Sequence, residues 1–554
     1  VRLRHRRFTM RHSDPQTAAT AATAAVDSST AVPTAVPRIS PDALRAALAD
    51  GREIALLDVR ETGVFAHRHL LLAASAPLWR LPLLIDRLVP RRQTRVVLVD
   101  ADESLTPAAA TALRGWGYTD VAILAGGIDA WEAAGLQVFR GTNVPSKAFG
   151  EVIEHDKHTP WIDAAELHAR VTRGDDLVVV DSRTPEEFQQ FSLPFAHSLP
   201  GAELVYRIGA LAPRPETLVV VNCAGRTRSI VGAQTLIDAG LPNRVVSLKD
   251  GTMAWLLAGH ALAQGRSPRL PEPDAAALVA ARAGVRRVDA VDLATWALEP
   301  RSTYCFDVRT REEYEAGHLE GWRWAPGGQL VQATDEYVAT RHARIVLADW
   351  DGVRALTTAA WLAQLGGHEV HVFTPPADAP RVSGPEPHTR LPLGVEAPQV
   401  APAQLAAWLR AGAARVFDVD RRAAFERQHL PGARFAVPDR VQEFLGERGA
   451  DERVVITSPD GALADVVAAQ LIARGVANVF ALAGGTDAWV AAGQAVAHGD
   501  ADVLTGDDDH WYSPYAHRDL AARDAGFRDY LDWELGLVAQ LEREGDIGIR
   551  LLAA

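Results

Sequence analysis

The sequence predicts an α/β chain of four tandem domains, each a parallel sheet with helices on both faces, followed by a C-terminal helical tail. Three observations predict it. One block order recurs four times: a short helix pattern, an apolar strand ending in an acidic residue, a second apolar strand, a helix and a third short strand. The strands are near-continuous Val/Ile/Leu runs, apolar on both faces, each followed by a helical pattern. A Gly-x-x-Ala-Trp turn closes three of the copies.

In chain order, residues 1–35 are rich in Ala, Thr, Ser and Pro after an Arg-rich start and are expected to be a disordered leader, with Val1 and Met10 both open as the start. The first domain is expected over 36–142, the second over 150–266, the third over 284–376 and the fourth over 397–499, with an extension over 500–554. Their acidic-ended strands read Leu56-Leu57-Asp58-Val59-Arg60, Val179-Val180-Asp181-Ser182-Arg183, Cys305-Phe306-Asp307-Val308-Arg309 and Val416-Phe417-Asp418-Val419-Asp420. These recur at ordinary domain spacing, ~100–150 residues, so the units are domains and not solenoid repeats. Ser40-Pro41, Asp163 and Asp289 read as helix starts. The second strands begin at Arg95, Leu218, Ile345 and Val454. The closing turns are Gly127–Trp131, Gly251–Trp255 and Gly485–Trp489; the third copy runs His371-Val372-Phe373-Thr374-Pro375-Pro376 instead and looks eroded. Ser267–Pro273 and Pro375–Pro398 read as exposed linkers. After Asp507–Tyr515 comes an amphipathic pattern through Tyr530, Leu531, Trp533, Leu535, Leu537, Val538 and Leu541, expected to be a docking helix.

A formal net charge of −13 argues against a nucleic-acid or anionic-membrane surface, either of which needs basic patches. No stretch approaches the ~20 apolar residues of a membrane span. Two cysteines, Cys223 and Cys305, make no disulfide framework and fit a reducing compartment, so a cytoplasmic location is expected. His155-Asp156-Lys157-His158 lacks supporting ligands, and no metal is expected.

Chemistry concentrates in Val220-Val221-Asn222-Cys223-Ala224-Gly225-Arg226-Thr227-Arg228-Ser229. A buried strand delivers a thiol to a short loop that opens a helix, so the helix N-terminus is expected to lower the thiol pKa. Arg226 and Arg228 add positive charge where an anionic donor would enter. At the matching place the other copies carry Asp100, Asp349 and Ser458, none able to form a persulfide. Ser458 has no accompanying base and is expected to be structural, as is Cys305 inside its strand. The recurring aspartates are expected to pair, buried, with arginine.

The Asp-x-Arg strand ends, Glu187-Phe188, Leu193-Pro194, Leu199-Pro200-Gly201-Ala202, the Cys223 loop and the Gly251–Trp255 turn stand in the order of the rhodanese family, which the chain resembles over roughly residues 36–498 as four tandem rhodanese-like domains. The resemblance implies a sulfurtransferase. Cys223 would take sulfane sulfur from a donor such as thiosulfate or a mercaptan-derived compound, and the persulfide would pass it to cyanide, a thiol or sulfite. It implies that Ala224, Gly225, Arg226, Thr227, Arg228 and Ser229 cradle the persulfide, that Arg228 anchors the anion, that Asp181 and Arg183 support the site, and that no cofactor beyond the covalent persulfide is used. The catalytic copy departs from the family at the histidine kept as His318 and His429, having Phe191-Ser192-Leu193-Pro194-Phe195 instead, with Phe191 and Phe195 expected to make its surface or pocket more apolar. A cysteine phosphatase or arsenate reductase, and a noncatalytic scaffold, are the rival readings. Phosphatases of this fold have Cys-x5-Arg, whereas here the fifth position after Cys223 is Arg228 and the sixth is Ser229. Copies one, three and four are expected to serve stability or presentation; oligomeric state is open.

Overall fold

The second copy shows how strand composition builds the layers. Its sheet runs in the order Trp161–Ile162, Val245–Leu248, Leu218–Asn222, Leu177–Asp181, His197–Ser198, all parallel. Val178, Val180, Val219 and Val221 pack into one core and Val179, Val220 and Val246 into another on the opposite face. Alternation of side chains across a strand splits one apolar run between two helix layers, so the run shows no polar face.

A computed structural model describes residues 35–273, 285–387, 389–446, 452–506, 513–517 and 519–552. The leader through residue 34 and the Asp507–Tyr512 stretch lie outside the described residues. The other copies repeat the five-strand order, beginning at Arg38, Arg286 and Gln399. The first sheet is not purely parallel: Thr340–Arg341 of the third copy adds antiparallel to Ile54–Ala55. Ser40 accepts from the Ala43 amide, Asp163 from Glu166, and Asp289 from Val291 and Asp292, so the three expected starts are side-chain caps. Among the described residues the third copy has no helix after Glu369–Phe373 matching Gly127–Ala133, Gly251–Leu257 and Gly485–Ala491.

Beyond the strand that the third copy adds to the first sheet, the copies dock through shared cores and buried ion pairs. The first and fourth share a core, and Arg80 donates to the Asp420 side chain and carbonyl at 2.9 and 3.0 Å. The second and third meet where Arg354 reaches Glu203 at 2.8 Å. They approach so closely that a Cβ on Gly328 would stand 3.0 Å from the Gly201 nitrogen.

Two helices outside the repeats cover the second copy. The connecting helix Val144–Lys157, which falls across the expected boundary at 150, packs on the helix Thr227–Asp238. The tail helix Leu520–Glu544 packs on the connecting helix and buries Phe527, Leu531, Glu534, Leu537 and Leu541. Leu535, expected on the docking face, is 53% exposed, while Glu534 takes an inward place. Among the described residues no helix is long and apolar enough to cross a membrane.

Candidate functional site

Cys223 follows the strand Leu218–Asn222, and the helix Thr227–Asp238 begins four residues later. The strand end is held rigidly. Asp181 accepts two bonds from the Arg183 guanidinium at 2.9 and 2.7 Å and one from the Asn222 amide at 3.2 Å, and Arg183 also donates to the Phe191 carbonyl at 2.6 Å. Asp58–Arg60 and Asp307–Arg309 repeat the pair; Asp418 faces Asp420 and has no arginine in its place.

The Gly251 turn supports the loop from behind. Thr252 and Met253 donate their amides to the Cys223 and Ala224 carbonyls at 2.9 and 3.1 Å. Gly251 has φ +53, and a Cβ there would lie 2.4 Å from the Cys223 carbonyl oxygen, so only glycine lets the turn approach this closely. Tyr515 of the tail donates to the Ala224 carbonyl at 2.9 Å.

The other three copies show what such a loop holds. Asp100 accepts from the amides of Glu103, Leu105 and Thr106 at 2.7, 2.6 and 2.9 Å. Asp349 accepts from Gly352 and Ala355 at 2.9 and 2.8 Å, and Ser458 from Ala464 at 3.1 Å. The equivalent positions around Cys223 are Arg226, Arg228 and Ser229. The thiol itself lies 3.5 Å from Ser229 Oγ, which donates to the Arg226 carbonyl at 2.8 Å.

Two expectations for the loop are corrected. Burial pushes the Cys223 thiol up, against the pull of Arg228 and of Ser229, and Glu534 pushes it further; the expected lowering by the helix N-terminus does not prevail because Cys223 is only 1% exposed. The Arg226 side chain is not at the entrance. It is buried and matched to Glu151 at 2.7 Å, to Asp250 at 2.7 Å and to Glu154, so its charge holds the connecting helix to the loop. Arg228 faces the cavity over Cys223 and pairs through both terminal nitrogens with Glu187, at 2.6 and 2.8 Å. Burial raises the Glu187 carboxyl, but Arg228 outweighs it and holds the group down at about 2. The third copy repeats this pair as Arg354–Glu313 beside an aspartate, so pairing here also serves the frame.

The cavity measures roughly 820 Å³. Ala224 to Arg228 form its floor, and its walls come from far along the chain: Asn143 and Lys147 from the first connection, Gln329 and Gln332 from the third copy, Tyr515, Tyr530 and Glu534 from the tail. The second copy therefore does not build this cavity alone. Phe191 lines it and stacks on Tyr515 at 4.6 Å, whereas Phe195 packs edge-on against Trp255 at 5.5 Å and belongs to the core. Ser192 takes the place of His69, His318 and His429, each of which bonds the carbonyl four residues before it; His69 in the first copy shows that this histidine is kept in three copies. Cys305 is partly buried in its strand, and burial pushes its thiol up to about 12. Among the described residues no cluster could hold a metal ion.

The rhodanese-like domain model matches residues 40–134, 163–258, 293–374 and 401–492, more than half of the chain. The chain belongs to the rhodanese family. A crystal structure of thiosulfate sulfurtransferase from Pseudomonas aeruginosa is similar at 43% identity and TM-score 0.87, covering 94% of this chain and 100% of that one. A sulfurtransferase of Allochromatium vinosum is 33% identical over 98 residues, 18% of this chain and 89% of the relative. In this rhodanese-family chain the matched segments end at residue 492, so the tail that reaches the Cys223 loop lies outside them.

Proposed function

We propose that the chain transfers sulfane sulfur from an anionic donor such as thiosulfate to a nucleophilic acceptor through a persulfide on Cys223. The observation that carries this reading is the anion-holding loop of the sister copies: where amides grip the carboxylates of Asp100 and Asp349, the second copy offers one sulfur and room above it. The Cys223 thiolate attacks the outer sulfur of thiosulfate; the donor S–S bond breaks and sulfite leaves with its electron pair. The added sulfur lies toward the amides of Arg226, Arg228 and Ser229, with Arg228 beside it as the cation. A thiol, sulfite or cyanide then attacks the outer sulfur, the bond to Sγ breaks, and the thiolate returns. No cofactor enters these steps. The sulfurtransferase names of the relatives support the reading.

The test is intact-protein and peptide mass spectrometry after exposure to thiosulfate, 3-mercaptopyruvate or glutathione persulfide. One added sulfur on Cys223, removed by cyanide and missing in Cys223→Ser, is expected. Aryl phosphate hydrolysis abolished by Cys223→Ser, with no sulfur adduct from any donor, would overturn it.

A further inference from the structure

Among the residues the tail helix buries is one carboxyl, Glu534, 1% exposed. Oε1 accepts from Thr227 Oγ1 at 3.2 Å and from the Tyr530 hydroxyl at 3.1 Å. Oε2 is buried, has no hydrogen-bond partner and lies 3.4 Å from where a Cβ on Gly225 would stand, and Glu534 is one of the residues lining the Cys223 cavity. A buried carboxyl oxygen left unpaired is costly and needs a reason.

Its surroundings explain why it stays unpaired. The connecting helix presents Lys147 and Glu151, the tail helix Tyr530, and the loop Cys223, Arg226 and Arg228. Lys147 donates to the Thr142 carbonyl at 2.6 Å and lies 5.6 Å from the Tyr530 ring centre, so it acts on Glu534 only through space. Arg226 and Arg228 are matched to other carboxylates. Burial pushes Glu534 up to about 7, with Glu151 adding to the rise and Lys147, Tyr530 and Arg226 opposing it. Among the described residues no hydrogen bond joins Glu534 to Cys223.

The geometry points to Glu534 as the catalytic proton acceptor for a polar organic thiol that takes the sulfur from Cys223, its free Oε2 receiving the S–H in the cavity that holds Sγ. This deepens the persulfide reading and rests on it. A space of roughly 820 Å³ is far larger than thiosulfate or cyanide needs and falls in the range of organic ligands, ~300–1,000 Å³. Neutral amides of Asn143, Gln190, Gln264, Gln329 and Gln332 line it, suited to the amides and carboxylates of a small peptide-like thiol. The proton of RSH passes to Oε2 as its sulfur bonds to the outer sulfur of Cys223–S–SH. The Sγ–S bond breaks with its pair going to Sγ. RS–SH leaves, Cys223 remains as thiolate, and Glu534 gives the proton to water. The sulfur moves without net oxidation or reduction, so no further reactant is required.

The test compares the full-length wild type with Glu534→Gln, loaded from thiosulfate and discharged to glutathione or to cyanide, whose reacting anion forms by exchange with solvent and needs no protein base. Glutathione turnover should fall ~10²-fold relative to cyanide turnover, the scale of a lost general base. The rise of glutathione kcat/KM through about pH 7 should vanish. An unchanged ratio with the pH limb intact overturns the assignment, because a purely structural change would move both acceptors together. Tyr530→Phe is the second arm and decides alone if Glu534→Gln does not fold. Removing the hydroxyl that favours the Glu534 carboxylate should shift the limb to higher pH, and an unmoved limb overturns the proposal. Absence of any sulfur adduct before acceptor is added overturns the persulfide reading itself, whereas an intact adduct with an unchanged acceptor ratio overturns only the role of Glu534.

Discussion

The Cys223 loop and the loops at Asp100 and Asp349 occupy the same place in their sheets and end in the same way, at a helix whose first amides face the side chain. In the first and third copies that side chain is a carboxylate that fills the ring of amides itself. In the second it is a thiol whose one side-chain bond runs to Ser229 at 3.5 Å. The difference teaches that a carboxylate in the place of the thiol leaves the frame intact. An aspartate supplies from within the chain the hydrogen-bond acceptor that a persulfide would bring, so the helix N-terminus stays satisfied even where burial and Asp351 push Asp349 up to about 7.

The largest effect that could break this comparison comes from Cys223→Asp, which turns the second loop into the kind found in the first and third. Turnover should fall on the order of 10³-fold or more, as for removal of a nucleophile. The fold should persist, with Tm within about 4 °C, because the same amide positions await the carboxylate. A chain that unfolds would show that the Cys223 loop is not built as an anion cradle.

A smaller effect separates the two roles of Arg228. The Arg354–Glu313 pair shows that an arginine here serves the frame even beside an aspartate. Arg228 also lines the Cys223 cavity, where the proposed reading would have it meet an anionic donor. Arg228→Ala should raise KM for thiosulfate about tenfold, equivalent to ~1.4 kcal/mol, and should also lower Tm because Glu187 loses its partner. Unchanged thiosulfate kinetics with a lowered Tm would make the pair purely structural in both copies.

These two residues mark how far the sequence carries. The four sheets, the Asp-x-Arg pairs and the place of the thiol follow from short-range order: an apolar run, an acidic strand end, a loop, a helix. Arg226 sits away from the entrance because its partners Glu151, Glu154 and Asp250 come from a connecting helix between two repeats and from the start of another turn. No local spacing reveals which distant carboxylate an arginine will find. The thiol pKa was misjudged for a related reason: helix N-termini can be read from sequence, but the depth of burial depends on the tail and the connecting helix packed over the loop. Glu534 was hidden by periodicity itself, since its place on the inner face looks like a break in an apolar stripe. The unusual signal was available all the same, a charged residue flanked by buried Leu531 and Leu537 on one helix face.

The fourth copy sharpens the comparison at its other end, the Asp-x-Arg pair. Asp58, Asp181 and Asp307 each hold an arginine two residues on, whereas among the described residues Asp418, 3% exposed, receives the Asp420 amide at 3.3 Å and no arginine. Burial pushes its carboxyl up to about 7, and the Asp420 charge adds to the rise. An unfolded aspartate titrates near ~3.9. Between those values the folded chain binds more protons than the unfolded one, so this group makes stability fall as pH rises through the window. Its penalty is absent below about pH 4, where both states are protonated, and complete above about pH 7. Asp418→Asn removes the titration while keeping the shape. It should raise Tm at pH 8, and by progressively less as the pH is lowered toward 4. Asp181→Asn at pH 8 should act in the opposite direction, because it leaves the wholly buried Arg183 without its counter-charge. Equal responses of the two variants would mean that the missing arginine of the fourth copy is of no consequence to its frame.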